Sequence, residues 1–207
     1  MKIGLLLGSF DPITIGHVAI ANILITNNVV DKVVFVVAKQ NPWKTQQSAD
    51  FDLRVKMCSL ATQSLGSRCV ISALESTIDG EPYSYKVLDK IRAENEKDKL
   101  YIVCGTDVIE EIFYWKNFAS HIFPYFNFIE ICRTSLPCGM GLKQLCVIAK
   151  GKREFGECGT KETIFILPRT MDISSTIVRQ LVKEGKEPYP YVTESVSEII
   201  KQNNLYK

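Results

Sequence analysis

Residues 3–17, "IGLLLGSFDPITIGH", join a short apolar run to a turn that holds Gly8, Pro12, Gly16 and one of only two histidines in the chain. An apolar run this short and continuous reads as a buried strand. Pro12 disfavours helix at the residue before it, so the next helix is expected near Ile15 or Gly16, with His17 in its first turn. A strand that runs into Gly8-Ser9-Phe10 can expose successive backbone N–H groups, because Gly8 tolerates conformations closed to other residues. That makes a seat for an anion, and the unpaired N–H groups of the following helical turn favour negative charge as well. Thr14 and His17 are three residues apart and can face the same ligand. The plainer alternative is an ordinary strand-to-helix turn, with Thr14 as a cap and His17 partly buried.

Outward from this turn, short β-branched runs alternate with longer amphipathic stretches. "KIGLLLG" is followed by 17–28, "KVVFVVA" by 52–63, "CVIS" by 84–95 and "KLYIVCG" by 107–113; "FNFIEICR" and "TIFILP" precede helical patterns at 175–184 and 193–203. Apolar strands separated by helices predict one α/β domain over 1–207: a doubly wound, Rossmann-like parallel sheet with helices on both faces, and a small helical part from about 170. In such sheets the ligand lies at the carboxyl ends of the strands. Besides the first turn, three unusual stretches follow strands: "AKQNPWK" at 38–44, "GTDVIEEIFYW" at 105–115 and "RTMDISSTIVR" at 169–179. Residues 135–161, with five glycines and three cysteines, read as a loop-rich insertion.

The bulk numbers favour small-ligand chemistry. Lys and Arg number 25 against 23 Asp and Glu, a balance without the field needed to hold a nucleic-acid backbone. The start is too briefly apolar for a signal peptide and no run reaches the ~18 to 20 residues of a membrane span, so a cytoplasmic protein is expected. Seven cysteines without a CxxC pair, several inside strand-like runs, read as reduced core or loop residues. With only His17 and His121 available, no zinc-site spacing is present.

In "ISSTIVR", at 173–179, Ser174, Ser175 or Thr176 is suited to cap a helix, and Arg179 lies one turn further on the same face. Hydroxyls, free N–H groups and a guanidinium fork would then converge on one anion. This stretch resembles the ISSTxxR signature of the nucleotidylyltransferase superfamily, and "GSFDPITIGH" resembles its T/HxGH signature. Nearly the whole chain is similar to bacterial nicotinate/nicotinamide mononucleotide adenylyltransferases. "NPWK" at 41–44, "RVKM" at 54–57, "GEPYSY" at 80–85, "GTD" at 105–107 with Trp115, and "YVTESVSEIIKQNNLY" at 191–206 carry that likeness. Thr14 and Trp43 stand where that family usually has histidines, and Lys86 where threonine is usual.

The resemblance implies transfer of AMP from ATP to a pyridine mononucleotide, with His17, Arg179, Thr14 and Lys44 in catalytic roles. It assigns ATP to Gly8, Ser9, Phe10, Gly16, His17, Gly105, Asp107, Ile173, Ser174, Ser175, Thr176 and Arg179. The acceptor falls to Ser9, Phe10, Lys44, Arg54, Ser84, Tyr85, Trp115 and Arg133. Trp115 could equally be core, and Lys44, Arg54 and Arg133 surface charges. Mg2+ is expected to ride on ATP with mostly water ligands and no metal cage from the chain. Asp11 is the nearest acidic candidate, with a turn role equally open. Phosphopantetheine adenylyl transfer and a noncatalytic nucleotide sensor are the competing functions; Thr14 and "NPxK" favour the former, and the GTD turn with Trp115 disfavours it.

Overall fold

The computed structural model describes residues 1–39, 49–105, 108, 111–131, 163–166 and 173–207. Six strands are present among them: β1 (Lys2–Gly8), β2 (Lys32–Val37), β3 (Cys69–Ser72), β4 (Lys99–Gly105), β5 (Asn127–Ile131) and β6 (Thr163–Ile166). They form one sheet in the order β3-β2-β1-β4-β5-β6, with every pairing parallel. The chain therefore winds outward in both directions from the β1–β4 seam, the doubly wound arrangement expected from the sequence. Across the seam Leu6 stands opposite Val103, and each half ends with its strands paired, Gly8 with Val37 and Gly105 with Ile131; the order reverses at this seam, where such sheets hold their crevice.

Among the described residues the α-helices are α1 (Ile15–Thr26), α2 (Phe51–Ala61), α3 (Ser84–Glu94), α4 (Ser175–Lys183) and α5 (Glu194–Gln202), which flank the sheet. Successive strand residues point to opposite faces, so neighbouring Leu5 and Leu6 serve different cores. Leu6, Phe35, Tyr101, Val103 and Ile129 pack with Leu24 of α1, Met57 of α2, Val178 of α4 and Ile199 of α5. The C-terminal helices thus share one core with α1 and α2. On the other face, Leu5, Val36, Ile102 and Phe128 pack with Val87, Leu88 and Ile91 of α3 and a phenylalanine-rich turn, Phe118–Phe126.

α1 starts at Ile15, as expected from Pro12, with Thr14 as its extended N-cap; it ends at Thr26 rather than 28, and α2 ends at Ala61 rather than 63. Within the expected helix at 107–113, Ile112–Tyr114 form a 3-10 turn. Cys58 and Cys104 are buried and Cys69 is partly buried; burial pushes the Cys58 thiol well above its ordinary range, as fits a packing residue. The 135–161 stretch and the other four cysteines lie outside the described residues. Among those described, no helix is long and apolar enough to cross a membrane.

Candidate active site

The turn after β1 is built differently from the expectation for Gly8. Gly8 lies outside the left-handed region, and it is Phe10 that adopts a positive φ, of 47°. What requires glycine at position 8 is space: a Cβ there would come within 3.1 Å of the Phe10 ring. Phe10 is buried, its ring 5.3 Å from that of Phe35 and 5.2 Å, edge-on, from His17. The ring thereby supports the histidine from below.

Thr14 and His17 hold each other as a capping box at the start of α1. The Thr14 N–H donates to His17 Nδ1 at 3.1 Å, and Thr14 Oγ1 lies 2.9 Å from the same nitrogen. An Nδ1 that accepts a backbone N–H leaves the proton of the neutral imidazole on Nε2. His17 also lines the central cavity.

The ISSTIVR segment arrives beside this turn. Ser174 is the N-cap of α4 and accepts the Ile177 N–H at 3.2 Å, while Ser175 donates to the Pro12 carbonyl at 2.7 Å. Arg179 donates to the Asp11 carbonyl at 2.7 Å and to Thr176 Oγ1 at 3.2 Å. Gly16 sits at this junction, but the approach does not depend on glycine: a Cβ there would meet Thr14 Oγ1 at 3.4 Å and Ile173 at 3.8 Å, ordinary contact distances. Two helix N-termini, far apart in sequence, therefore meet at one place, and each brings N–H groups that favour an anion.

Arg54, assigned to the acceptor from sequence, is placed elsewhere. It is 0 % exposed and donates to the carbonyls of Ser9, Ala38, Lys39 and Ala49 at 2.6 to 3.1 Å. A guanidinium whose donors point at four carbonyls beneath the sheet edge braces the ends of β1 and β2 rather than presenting itself to solvent-borne phosphate. Burial lowers its pKa and the Asp11 carboxylate opposes that shift. Asp11, the acidic candidate for a metal, is 3 % exposed, and its Oδ1 accepts the Ala49 N–H at 3.2 Å and the Tyr206 hydroxyl at 2.8 Å. Burial and the neighbouring carboxylate push the Tyr206 phenol far above its usual range, so it stays a donor. The final residues of the chain are in this way fastened to the signature turn.

A cavity of about 670 Å3 opens above the β1–β4 seam. Gly8, Ser9, Phe10, His17, Gly105 and Ser175 line it, as do Ser84 and Trp115. Tyr85 packs instead against Tyr83 (centroids 6.2 Å apart) and His121 (5.0 Å), whose Nδ1 lies 2.6 Å from Asp89. Lys86 donates to the Asp79 carbonyl at 3.2 Å. Lys44, Asp107 and Arg133 lie outside the described residues. Among the lining residues that the sequence reading did not assign to the site are Glu75, Tyr83, Glu111, Tyr114 and Lys116. Tyr83 stood inside a quoted motif, whereas nothing in "ALEST" marks Glu75. Glu75 is 6 % exposed and its pKa is pushed up to about 7 by burial, against the Lys39 N–H and the charge of Arg54. Among the described residues no group of three or more His, Cys, Asp or Glu could hold a metal ion.

These features have close parallels. Residues 5–181 match the pattern of the cytidylyltransferase-like family. A Clostridium botulinum protein named "Probable nicotinate-nucleotide adenylyltransferase" is 31 % identical over 201 residues, 97 % of this chain and 96 % of its own. The chain belongs to the nicotinate-nucleotide adenylyltransferase family. Family members of the same name from Endomicrobium trichonymphae (31 % over 207 residues, 100 % of this chain and 99 % of its own) and Clostridium kluyveri (33 % over 201 residues, 97 % and 96 %) align as fully. The fold also superposes on Plasmodium falciparum nicotinic acid mononucleotide adenylyltransferase complexed with NaAD, with a TM-score of 0.78 at 20 % identity, covering 99 % of this chain and 97 % of that one. Membership accounts for the pairing of the two signatures: the doubly wound fold brings residues 8–17 and 173–179 to one edge of the crevice.

Proposed function

We propose that the protein transfers AMP from ATP to nicotinate mononucleotide, giving deamido-NAD and pyrophosphate. The observation that carries this reading is the meeting of the α1 and α4 N-termini beside a cavity lined also by Trp115 and Ser84. An acceptor phosphate with a second pKa near 6 is already largely a dianion at neutral pH and needs no general base. One of its oxygens attacks the α-phosphorus of ATP, the bond to the bridging oxygen breaks, and pyrophosphate leaves with the electron pair. The work left to the protein is alignment and charge stabilisation.

In this reading Gly8, Ser9, Phe10, Gly16 and the 173–176 cap surround the ATP phosphates, and Gly105 and Asp107 hold the adenosine end. His17 Nε2–H and Arg179 stabilise charge on the leaving pyrophosphate, with Lys44 beside them; Thr14 keeps His17 in the required tautomer and supports the α-phosphate. Trp115 stacks on the pyridine while Ser84 and Arg133 complete the acceptor side. Arg54 braces the walls without touching substrate, and Tyr85 steadies Tyr83. A divalent cation, Mg2+, would be brought by ATP rather than held by Asp11, whose Oδ1 is committed to Ala49 and Tyr206. When bound, it neutralises phosphate charge. The substrates are cytoplasmic metabolites, and the enzyme is assigned to that compartment.

Pyrophosphate release from ATP with nicotinate mononucleotide, nicotinamide mononucleotide and phosphopantetheine tests the reading. Turnover with a pyridine mononucleotide is expected; turnover with phosphopantetheine alone would overturn it.

A further inference from the structure

The Asp, Glu, His, Lys and Arg side chains that line the cavity among the described residues are Asp11, His17, Glu75, Glu111 and Lys116. Lys116 is the one lysine or arginine of the set, and it follows Trp115 directly. Its ammonium lies 4.1 Å from the centroid of the Tyr83 ring, at the start of α3. A ring face attracts a cation without neutralising it, so the contact fixes the position of the charge and leaves its sign intact. No carboxylate among the described residues is in ion-pair contact with Lys116. Glu75 is accounted for separately, since it accepts the Lys39 N–H and faces the charge of Arg54.

The α3 terminus reinforces this local sign. Its N-cap is Tyr83, which makes no side-chain cap hydrogen bond, and Pro82, Tyr83 and Ser84 all line the cavity. Unpaired N–H groups at a helix start carry partial positive charge. Lys116 and the α3 terminus therefore both bring positive charge to this part of the cavity wall, and Trp115, the residue before Lys116, lines it too. An anionic substituent on a flat ring stacked at Trp115 gains from both, and a neutral carboxamide gains little from the ammonium.

We infer that Lys116 is a specificity-determining residue: its ammonium, held over the Tyr83 ring, favours an acceptor whose pyridine bears a carboxylate over one that bears a carboxamide. The inference rests on the proposed adenylyl transfer. It assigns to a side chain a choice that the sequence motifs alone leave open between the two pyridine mononucleotides.

The test compares the wild type with Lys116→Met and Lys116→Arg, using pyrophosphate release at saturating ATP and kcat/KM for each pyridine mononucleotide. Lys116→Met is expected to lower the ratio of nicotinate to nicotinamide use by about tenfold, the scale of one charged hydrogen bond. Lys116→Arg, which keeps the charge, should retain most of the preference. A merely structural role would not move this ratio. Equal losses with both mononucleotides would place Lys116 on the shared phosphate or in packing, and a change confined to the KM of ATP would place it on the nucleotide; either overturns the inference, as does an unchanged ratio. These outcomes leave the proposed reaction standing, whereas a wild type that turns over neither pyridine removes both.

Discussion

Arg179 donates to the backbone carbonyl of Asp11 at 2.7 Å across 168 residues of sequence, and through this bond the C-terminal signature grips the N-terminal one. The carbonyl uses one nitrogen of the guanidinium and Thr176 a second. A fork of five N–H donors keeps capacity for a phosphate while holding both of these partners, which an ammonium cannot do in the same geometry.

Arg179→Lys is therefore expected to be far from conservative. Its kcat/KM for ATP should fall by about 100-fold, the scale of a lost preorganised donor, while the melting temperature changes by no more than a few degrees because the side chain is only partly buried. Steady-state kinetics and thermal melts on one preparation check this. A variant that melts much earlier yet keeps its activity per folded molecule would make Arg179 a strut alone.

His17 is held by two contacts at Nδ1, one from the backbone and one from the Thr14 side chain. Thr14→Ala removes the hydroxyl and retains the backbone donor, so the tautomer survives. It should cost about tenfold or less in kcat, whereas His17→Ala should cost about 100-fold or more, with the fold intact in both. Single-turnover rates together with circular dichroism would reveal equal effects, which would contradict the division of labour.

The sheet and most helix positions were readable because burial on both faces leaves uninterrupted apolar strands, "KVVFVVA" being the plainest, and because turns of the type GSFDP break helix at a fixed residue. The two signature motifs were readable as helix starts for a related reason: Thr14 and Ser174 stand in the extended position just before a helix, where a hydroxyl caps well. Arg54 was not, since a basic residue in an amphipathic pattern gives no sign of the carbonyls it will meet, two of them flanking residues 40–48. Gly8 was legible as a required glycine but not for its cause, because the contact with Phe10 depends on the unusual backbone of Phe10 itself. Glu75 and Lys116 became site residues only once the topology set β3 and α3 around the crevice.

Arg54 should be among the costliest positions for stability. Truncation of a fully buried arginine to methionine strands carbonyls of Ser9, Ala38, Lys39 and Ala49 and removes the positive charge facing Asp11 and Glu75. Breaking one side of such a buried charged network costs about 3 to 5 kcal/mol. Chemical denaturation of Arg54→Met should give a loss of that order, and an acceptor-specific KM effect without loss of stability would instead return Arg54 to direct substrate contact.

Glu75 should make stability depend on pH in the direction opposite to a salt-bridged carboxylate. Its folded pKa is about 7, raised from an ordinary 4.5 chiefly by burial. The folded protein therefore holds a proton that the unfolded chain has already released between about pH 4.5 and 7. The stabilising contribution is fully present below the unfolded value and is lost as pH rises through about 7, after which the penalty is constant. At 1.36 kcal/mol per pKa unit the whole effect is about 3 kcal/mol. Glu75→Gln mimics the protonated side chain and can still accept the Lys39 N–H, so it should match the wild type near pH 4.5 and exceed it by roughly that amount at pH 8. Denaturant midpoints for both proteins across this range give the difference curve directly. A wild type that gains stability relative to Glu75→Gln as pH rises would mean that the charge of Arg54, and not burial, governs this carboxyl.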